Sequence, residues 1–160
     1  MKKSDIILIV AVLLIVVVGV FAFGKTEAKE VNYDLPFVLA DEVGLIELSY
    51  AEYSEKIESG DPFVVIIERE SCSFCQTFLP VAESFANDYK IPLYYVDTDT
   101  FSQDEFNALV NSNSFFKEKN STGWGTPTTI ILVGSEAVDY YEGATDSDGL
   151  YDFLSEYIDI

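Results

Sequence analysis

The 160-residue chain has no histidine, two cysteines, one tryptophan, and nine lysines and arginines against 28 aspartates and glutamates. Each shortage excludes something. Without histidine the usual general base, any Ser-His or Cys-His nucleophile pair and the commonest metal ligand are all missing. A formal net charge of -19, with the few basic residues scattered rather than clustered as a phosphate-binding face requires, argues against nucleic acid as a partner. The same deficit argues against electrostatic docking on anionic lipid. The acidic surface reads either as a solvated coat or as a means of steering cationic polypeptides. Apolar material, by contrast, is plentiful. Hydrophobic residues make up 49% of the chain, with twelve Phe and ten Tyr, which supports a packed core and argues against disorder. The length suits one domain plus a short appendage.

That appendage is the N-terminus. Residues 6–23 form an unbroken apolar run preceded by Lys2 and Lys3. As a helix the run spans roughly 27 Å at about 1.5 Å per residue, close to the hydrocarbon thickness of a bilayer. It exceeds the usual h-region of a secretory signal, and Thr26-Glu27-Ala28 is only a weak cleavage site, so an uncleaved anchor over residues 1–23 is expected. Lys25 and Lys29 follow the run, which leaves the positive-inside bias slight. The expected arrangement is a single pass through the cell membrane, with a cytoplasmic N-terminus and the acidic C-terminal part outside the cytosol. Residues 24–44 read as a linker, although residues 37–40 offer an extra turn packed on the domain.

Residues 45–160 form the domain. Residues 45–48 predict a strand, and Ser49 with Glu52 predicts a capping box for a helix over residues 50–59, stopped by Gly60 and Pro62. Residues 63–67 predict a strand buried on both sides. A helix from the cysteines to about Tyr89, a strand over 93–96 and an irregular helical segment through Phe106, Leu109, Val110 and Phe115 follow. Residues 111–120 read as a polar, loop-rich insertion. Strands over 128–133 and 137–141 flank Gly134-Ser135-Glu136 as a hairpin. Leu150, Phe153, Leu154, Tyr157 and Ile158 share one face of a last helix. The order β-α-β-α-β-α-β-β-α gives a three-layer α/β/α domain.

The only cysteines form Cys72-Ser73-Phe74-Cys75. A zinc site needs four ligands, which this chain cannot supply alone. Two unrelated buried thiols, a structural disulfide and a redox-active dithiol all remain open. Placement favours the last. The motif lies where a buried strand ends and a helix begins, so Cys72 falls at a helix N-terminus, where unpaired N–H groups and the macrodipole favour the thiolate. A structural bridge over two intervening residues would close too small a loop to constrain the unfolded chain much.

Taken together, four features resemble the thioredoxin superfamily: the Cys-Ser-Phe-Cys motif after the Val64-Val65-Ile66-Ile67 strand, Pro80 five residues beyond it, Thr126-Pro127-Thr128 before the next strand, and Gly143 ahead of the last helix. The resemblance implies a thioredoxin-like fold, with Cys72 as nucleophile and Cys75 as resolving thiol. It also implies that Pro127, if cis, shapes a substrate groove in which Thr126 offers its backbone. Thioredoxins carry a buried Asp six residues before the first cysteine; here that position is Ile66, and Glu68 is the nearest acidic residue able to substitute in proton transfer. The membrane anchor, acidic domain and Ser-Cys-x-x-Cys motif are more narrowly similar to the bacteriocin transport accessory proteins of Gram-positive bacteria. The implied activity is thiol–disulfide exchange on exported polypeptides, with a redox partner protein, no metal, and no cofactor beyond the Cys72–Cys75 disulfide. A non-catalytic binding or accessory module for peptide export is the alternative.

Overall fold

The computed structural model describes residues 37–160. The apolar run at 6–23, read above as a membrane span, and most of the linker lie outside the described residues. Among the described residues no helix is long and apolar enough to cross a membrane.

Five strands form one sheet: β1 (Gly44–Glu47), β2 (Pro62–Glu68), β3 (Pro92–Asp97), β4 (Thr128–Val133) and β5 (Glu136–Glu142). Their spatial order is β1-β3-β2-β4-β5, with β2 at the centre. β3 runs parallel to both β1 and β2, whereas β4 lies antiparallel to β2 and to β5. The helices are α1 (Tyr50–Ser59), α2 (Ser73–Tyr89), α3 (Gln103–Leu109), α4 (Ser114–Lys119) and α5 (Ser147–Leu154).

Side chains along β2 alternate between two cores, so the central strand is apolar throughout. Phe63, Val65 and Ile67 join Tyr53, Leu109, Phe115, Phe116 and Ile130 in one cluster. Val64 and Ile66 join Phe78, Phe85, Leu93, Ile131, Leu150 and Leu154 in the other. One layer thus holds α1, α3 and α4, and the opposite layer holds α2 and α5. Helix α1 begins at the predicted capping box, with both Ser49–Glu52 bonds in place, and ends at Gly60, whose φ of 77° suits a residue without a Cβ.

Two expectations are corrected. The stretch read as a loop-rich insertion contains α4. Asn113 caps it by accepting a hydrogen bond from the Phe116 N–H at 3.2 Å and donates through Nδ2 to the Tyr53 hydroxyl at 2.9 Å. Ser114 fastens α4 to the hairpin, since its Oγ accepts from the Ala137 N–H at 2.7 Å. These polar residues are spent on internal partners rather than on solvent. The last helix is also shorter than its apolar period suggests. It stops at Leu154, and Ile158 pairs with Phe37 in an isolated parallel bridge.

Candidate active site

The parallel strands β1, β2 and β3 end on one edge of the sheet, and the cysteine motif sits in the turn beyond β2. Two carboxylates at the end of β3 hold that turn. The Glu70 N–H donates to Asp97 at 3.2 Å and the Ser71 N–H to Asp99 at 2.9 Å. Gln76 Nε2 donates to the Glu70 carbonyl at 2.8 Å. The exposed turn therefore has partners for its backbone donors and a defined path into α2. The hydrogen bonds from Ser71 hold the Asp99 carboxyl below its ordinary range.

Cys72 is the N-cap of α2, with extended backbone angles, and no side chain caps the helix there. The free N–H groups of the first turn consequently face its sulfur. Burial pushes the Cys72 thiol up, but hydrogen bonds from the Thr126 side chain, the Cys75 thiol and the Cys75 and Phe74 backbone outweigh it and bring the thiol down to about 7. Cys75, three residues on, is fully buried. Burial pushes its thiol up to about 11, and proximity to Cys72 adds to the rise. One sulfur is partly accessible and ionises near neutrality, while the other is sheltered and stays protonated. Two thiols one helical turn apart therefore differ because hydrogen bonds lower Cys72 while burial dominates at Cys75.

The Thr126–Pro127 peptide bond is cis. It carries the Thr126 carbonyl to 3.3 Å from Cys72 Sγ, where it accepts from the neutral thiol. That contact favours the protonated form and is lost on ionisation, which leaves the carbonyl available to another donor. The loop is fixed from behind by the Gly143 N–H donating to the Pro127 carbonyl at 2.8 Å. Thr128 Oγ1 donates to the Gly125 carbonyl at 2.7 Å.

Glu68, at the end of β2, lies on the same strand face as Val64 and Ile66, which is the face covered by α2. It is 3% exposed and stands in register with Asp97. Burial pushes its carboxyl up to about 7, with Asp97, Asp99, Cys72 and Glu47 each adding like-charge repulsion. A cavity of 380 Å³ opens here, lined by Glu47, Glu68, Asp97 and Tyr95 from the strands and by Gln76 and Leu79 from α2. Residues 72, 75, 76 and 79 fall on one face of α2 by helical spacing, so the cavity borders the cysteine face. Ile66 is wholly buried on that layer. Beside it in register with β4 lies Thr129, whose hydroxyl is buried without a hydrogen-bond partner.

On the other side of Thr126 a second cavity, of 470 Å³, is lined by Phe106, Phe116 and Trp124 together with Arg69 and Lys119. The Phe116 and Trp124 rings meet edge to face at 5.0 Å, and Phe106 stacks on Trp124 at 6.3 Å. Cys72, Cys75, Thr126 and Pro127 thus come together, and Glu68, on the α2 side, feels the charge of Cys72. Sequence reasoning missed Asp97, Asp99 and the aromatic cavity. The Asp-x-Asp pair directly after a buried strand was the available signal for the first two, and the lone tryptophan next to Thr126 for the third.

No family model matches the chain. Solved structures that resemble it include thioredoxins. A thioredoxin variant from Halobacterium salinarum is 22% identical with a TM-score of 0.51, covering 77% of this chain and 96% of its own. A thioredoxin from Nicotiana alata is 16% identical with a TM-score of 0.55, covering 76% and 99%. A thioredoxin from Schistosoma mansoni is 22% identical with a TM-score of 0.53, covering 72% and 99%. Strand order, helix layers and these likenesses agree that the described part of this chain has the thioredoxin fold.

Proposed function

We propose that the protein is a membrane-tethered thiol–disulfide oxidoreductase that acts outside the cytosol on exported polypeptides. One observation carries the exchange chemistry: a partly accessible Cys72 donates at 3.3 Å to the carbonyl of the cis Thr126–Pro127 bond and is brought down to about 7, while buried Cys75, three residues on, is pushed up to about 11. The thiolate, not the thiol, attacks disulfides, and an attacking thiol with a pKa near ambient pH is the most effective.

In the reducing direction the Cys72 thiolate attacks one sulfur of a substrate disulfide. A mixed disulfide forms and the first substrate thiolate leaves. Cys75 then loses its proton to Glu68, and its thiolate attacks Cys72 Sγ to release the second substrate thiolate. The substrate disulfide gains two electrons, and the Cys72–Cys75 pair loses two as its own disulfide forms. The reverse sequence oxidises a substrate dithiol. Thr126 and Pro127 supply the rim against which an extended substrate segment lies, and a donor from that segment replaces the Cys72 thiol on the Thr126 carbonyl. No metal and no cofactor beyond the cysteine pair takes part. A separate redox protein restores the pair between turnovers, and the apolar run at 6–23 provides the tether. The apolar N-terminal run, acidic composition and Ser-Cys-x-x-Cys motif resemble the bacteriocin transport accessory proteins, and on that resemblance the substrate is an exported peptide.

In the full-length Cys75→Ser chain, mixed disulfides with partner polypeptides should accumulate and be released by dithiothreitol. Their absence, together with unchanged exchange in Cys72→Ala, would sink the proposal. Equilibration in defined redox buffers, read by thiol alkylation, should place the pair between about -120 and -270 mV. A value far below about -300 mV would identify a structural bridge instead. The aromatic cavity beside Thr126 favours a second reading, a non-catalytic accessory module for peptide export. That reading requires the Cys72→Ala, Cys75→Ala chain to retain its full effect on export.

A further inference from the structure

We propose that the 470 Å³ cavity beside Thr126 receives a large aromatic or aliphatic side chain next to the cysteine of the polypeptide on which Cys72 acts, and that it rejects a basic one. The kinetic part of this proposal rests on the exchange activity proposed above; the binding part does not. Three observations support it.

The first is continuity with the reacting sulfur. Thr126 lines the cavity, and its carbonyl stands 3.3 Å from Cys72 Sγ. Arg69 also lines it, and its carbonyl accepts from the Cys72 N–H at 3.0 Å. A segment joined to Cys72 therefore has the cavity mouth within a residue of its own cysteine.

The second is the lining. Phe106, Phe116 and Trp124 already meet edge to face and stacked, and an incoming ring can join them at the centroid separations that such pairs prefer, about 4.5–7 Å. The size falls within the range of ligand cavities, roughly 300–1,000 Å³. Phe116 is buried and capped into place through Asn113, so one wall exists before any partner arrives.

The third is charge. Carboxylates outnumber basic residues 28 to 9 over the chain, yet none lines this cavity, whereas Arg69 and Lys119 both do. Glu142 holds Lys119 at 2.5 Å, and Arg69, whose charge the Asp99 carboxyl also feels, is the second cation of the lining. The contrast with the opposite cavity, lined by Glu47, Glu68, Glu70 and Asp97, is complete. A neutral or acidic flank is accommodated on the Trp124 side, while a lysine or arginine meets a like charge there.

The test uses the full-length chain and the symmetrical disulfides of N-acetyl-Phe-Cys-amide, N-acetyl-Ala-Cys-amide and N-acetyl-Lys-Cys-amide, with glutathione disulfide as reference. The Phe peptide should react about tenfold faster than the Ala peptide, since burying a ring rather than a methyl is worth at least that factor, and the Lys peptide more slowly than either. Val110→Phe, which puts a ring into the cavity, should bring the Phe-to-Ala ratio close to one. Equal rates for Phe and Ala, or a ratio unmoved by Val110→Phe, would overturn the proposal. Binding is read separately, because Trp124 is the only tryptophan of the chain. In the full-length Cys72→Ala, Cys75→Ala protein, its fluorescence should shift saturably with N-acetyl-Phe-Ser-amide and at about tenfold higher concentration with the Ala analogue. Emission that ignores the Phe peptide, or that shifts only with protein concentration and so reports a second copy in the cavity, would also overturn it. If not even glutathione disulfide reacts, the exchange activity falls and the fluorescence titration alone decides the cavity.

Discussion

The two sides of Thr126 are opposites built from one sheet edge. Toward α2, three neighbouring strands end in Glu47, Glu68 and Asp97 on the same face, around a cavity that borders the cysteine helix. Toward α3 and α4 the lining is aromatic and its charged residues are cations. The first side is suited to moving a proton beneath the cysteines and the second to holding a polypeptide beside them. Sheet parity separates the two tasks, because consecutive residues of a strand point into different layers. Glu68 lines one side while Ile67, the residue before it, packs into the core on the other.

The largest test leaves both sides intact and removes what they share. Cys72→Ala should abolish exchange with any disulfide, measured by insulin turbidity or peptide reduction. Next comes the aromatic wall. Phe116→Ala should cost about 3–5 kcal/mol by urea unfolding, because Phe116 is buried against the main core and Trp124. A loss under 1 kcal/mol would mean that α4 packs only loosely.

On the acidic side, Glu68→Gln should slow release of the Cys72 mixed disulfide about 100-fold at pH 7, a factor typical of general-base catalysis. The defect should shrink as the pH approaches about 11, where Cys75 ionises without help. A pH-independent defect would reduce Glu68 to a packing role. The same substitution has a sign in stability. The Glu68 carboxyl is raised in the folded state, so its favourable contribution is complete below pH 4.5 and is lost as the pH rises through about 7. The denaturant midpoint of the unaltered chain should therefore fall between pH 4.5 and 8 by more than that of Glu68→Gln. Equal slopes would contradict the assignment. The smallest change is Asn113→Ala. It removes the cap of α4 and a hydrogen bond to buried Tyr53, and should cost about 1–2 kcal/mol.

Legibility in the sequence followed the range of the forces involved. The α1 cap needs only Ser49 and Glu52, three residues apart, and it is present as read. The central strand and the start of α2 were equally local, since an apolar run and a cysteine at its end announce themselves. Helix α4 was not legible. Its six residues are too few to hold by propensity, and what fixes it are Tyr53 and the β4–β5 hairpin, distant in the chain. The stop at Leu154 had the same cause, since the apolar period runs on to Ile158 while a pairing with Phe37 redirects it. Cys72, Cys75, Thr126 and Pro127 were named from their motifs, but the position of Glu68 on the α2 side became visible only with strand register. The aromatic cavity gathers Phe106, Phe116 and Trp124 from three segments, and no spacing rule joins them.

The pairing of a raised Glu68 with a lowered Cys72 has a consequence for proton counting. Ordinary aspartate, glutamate, lysine and tyrosine side chains keep their charge between about pH 6 and 8, and histidine alone would normally titrate there. This chain has none, while Glu68 and Cys72 are both brought to about 7. Both groups thus brought to neutrality lie where a disulfide would be made or broken. Calorimetry of the exchange reaction in buffers of different ionisation heat should then register proton uptake and release at these two groups with no histidine contribution.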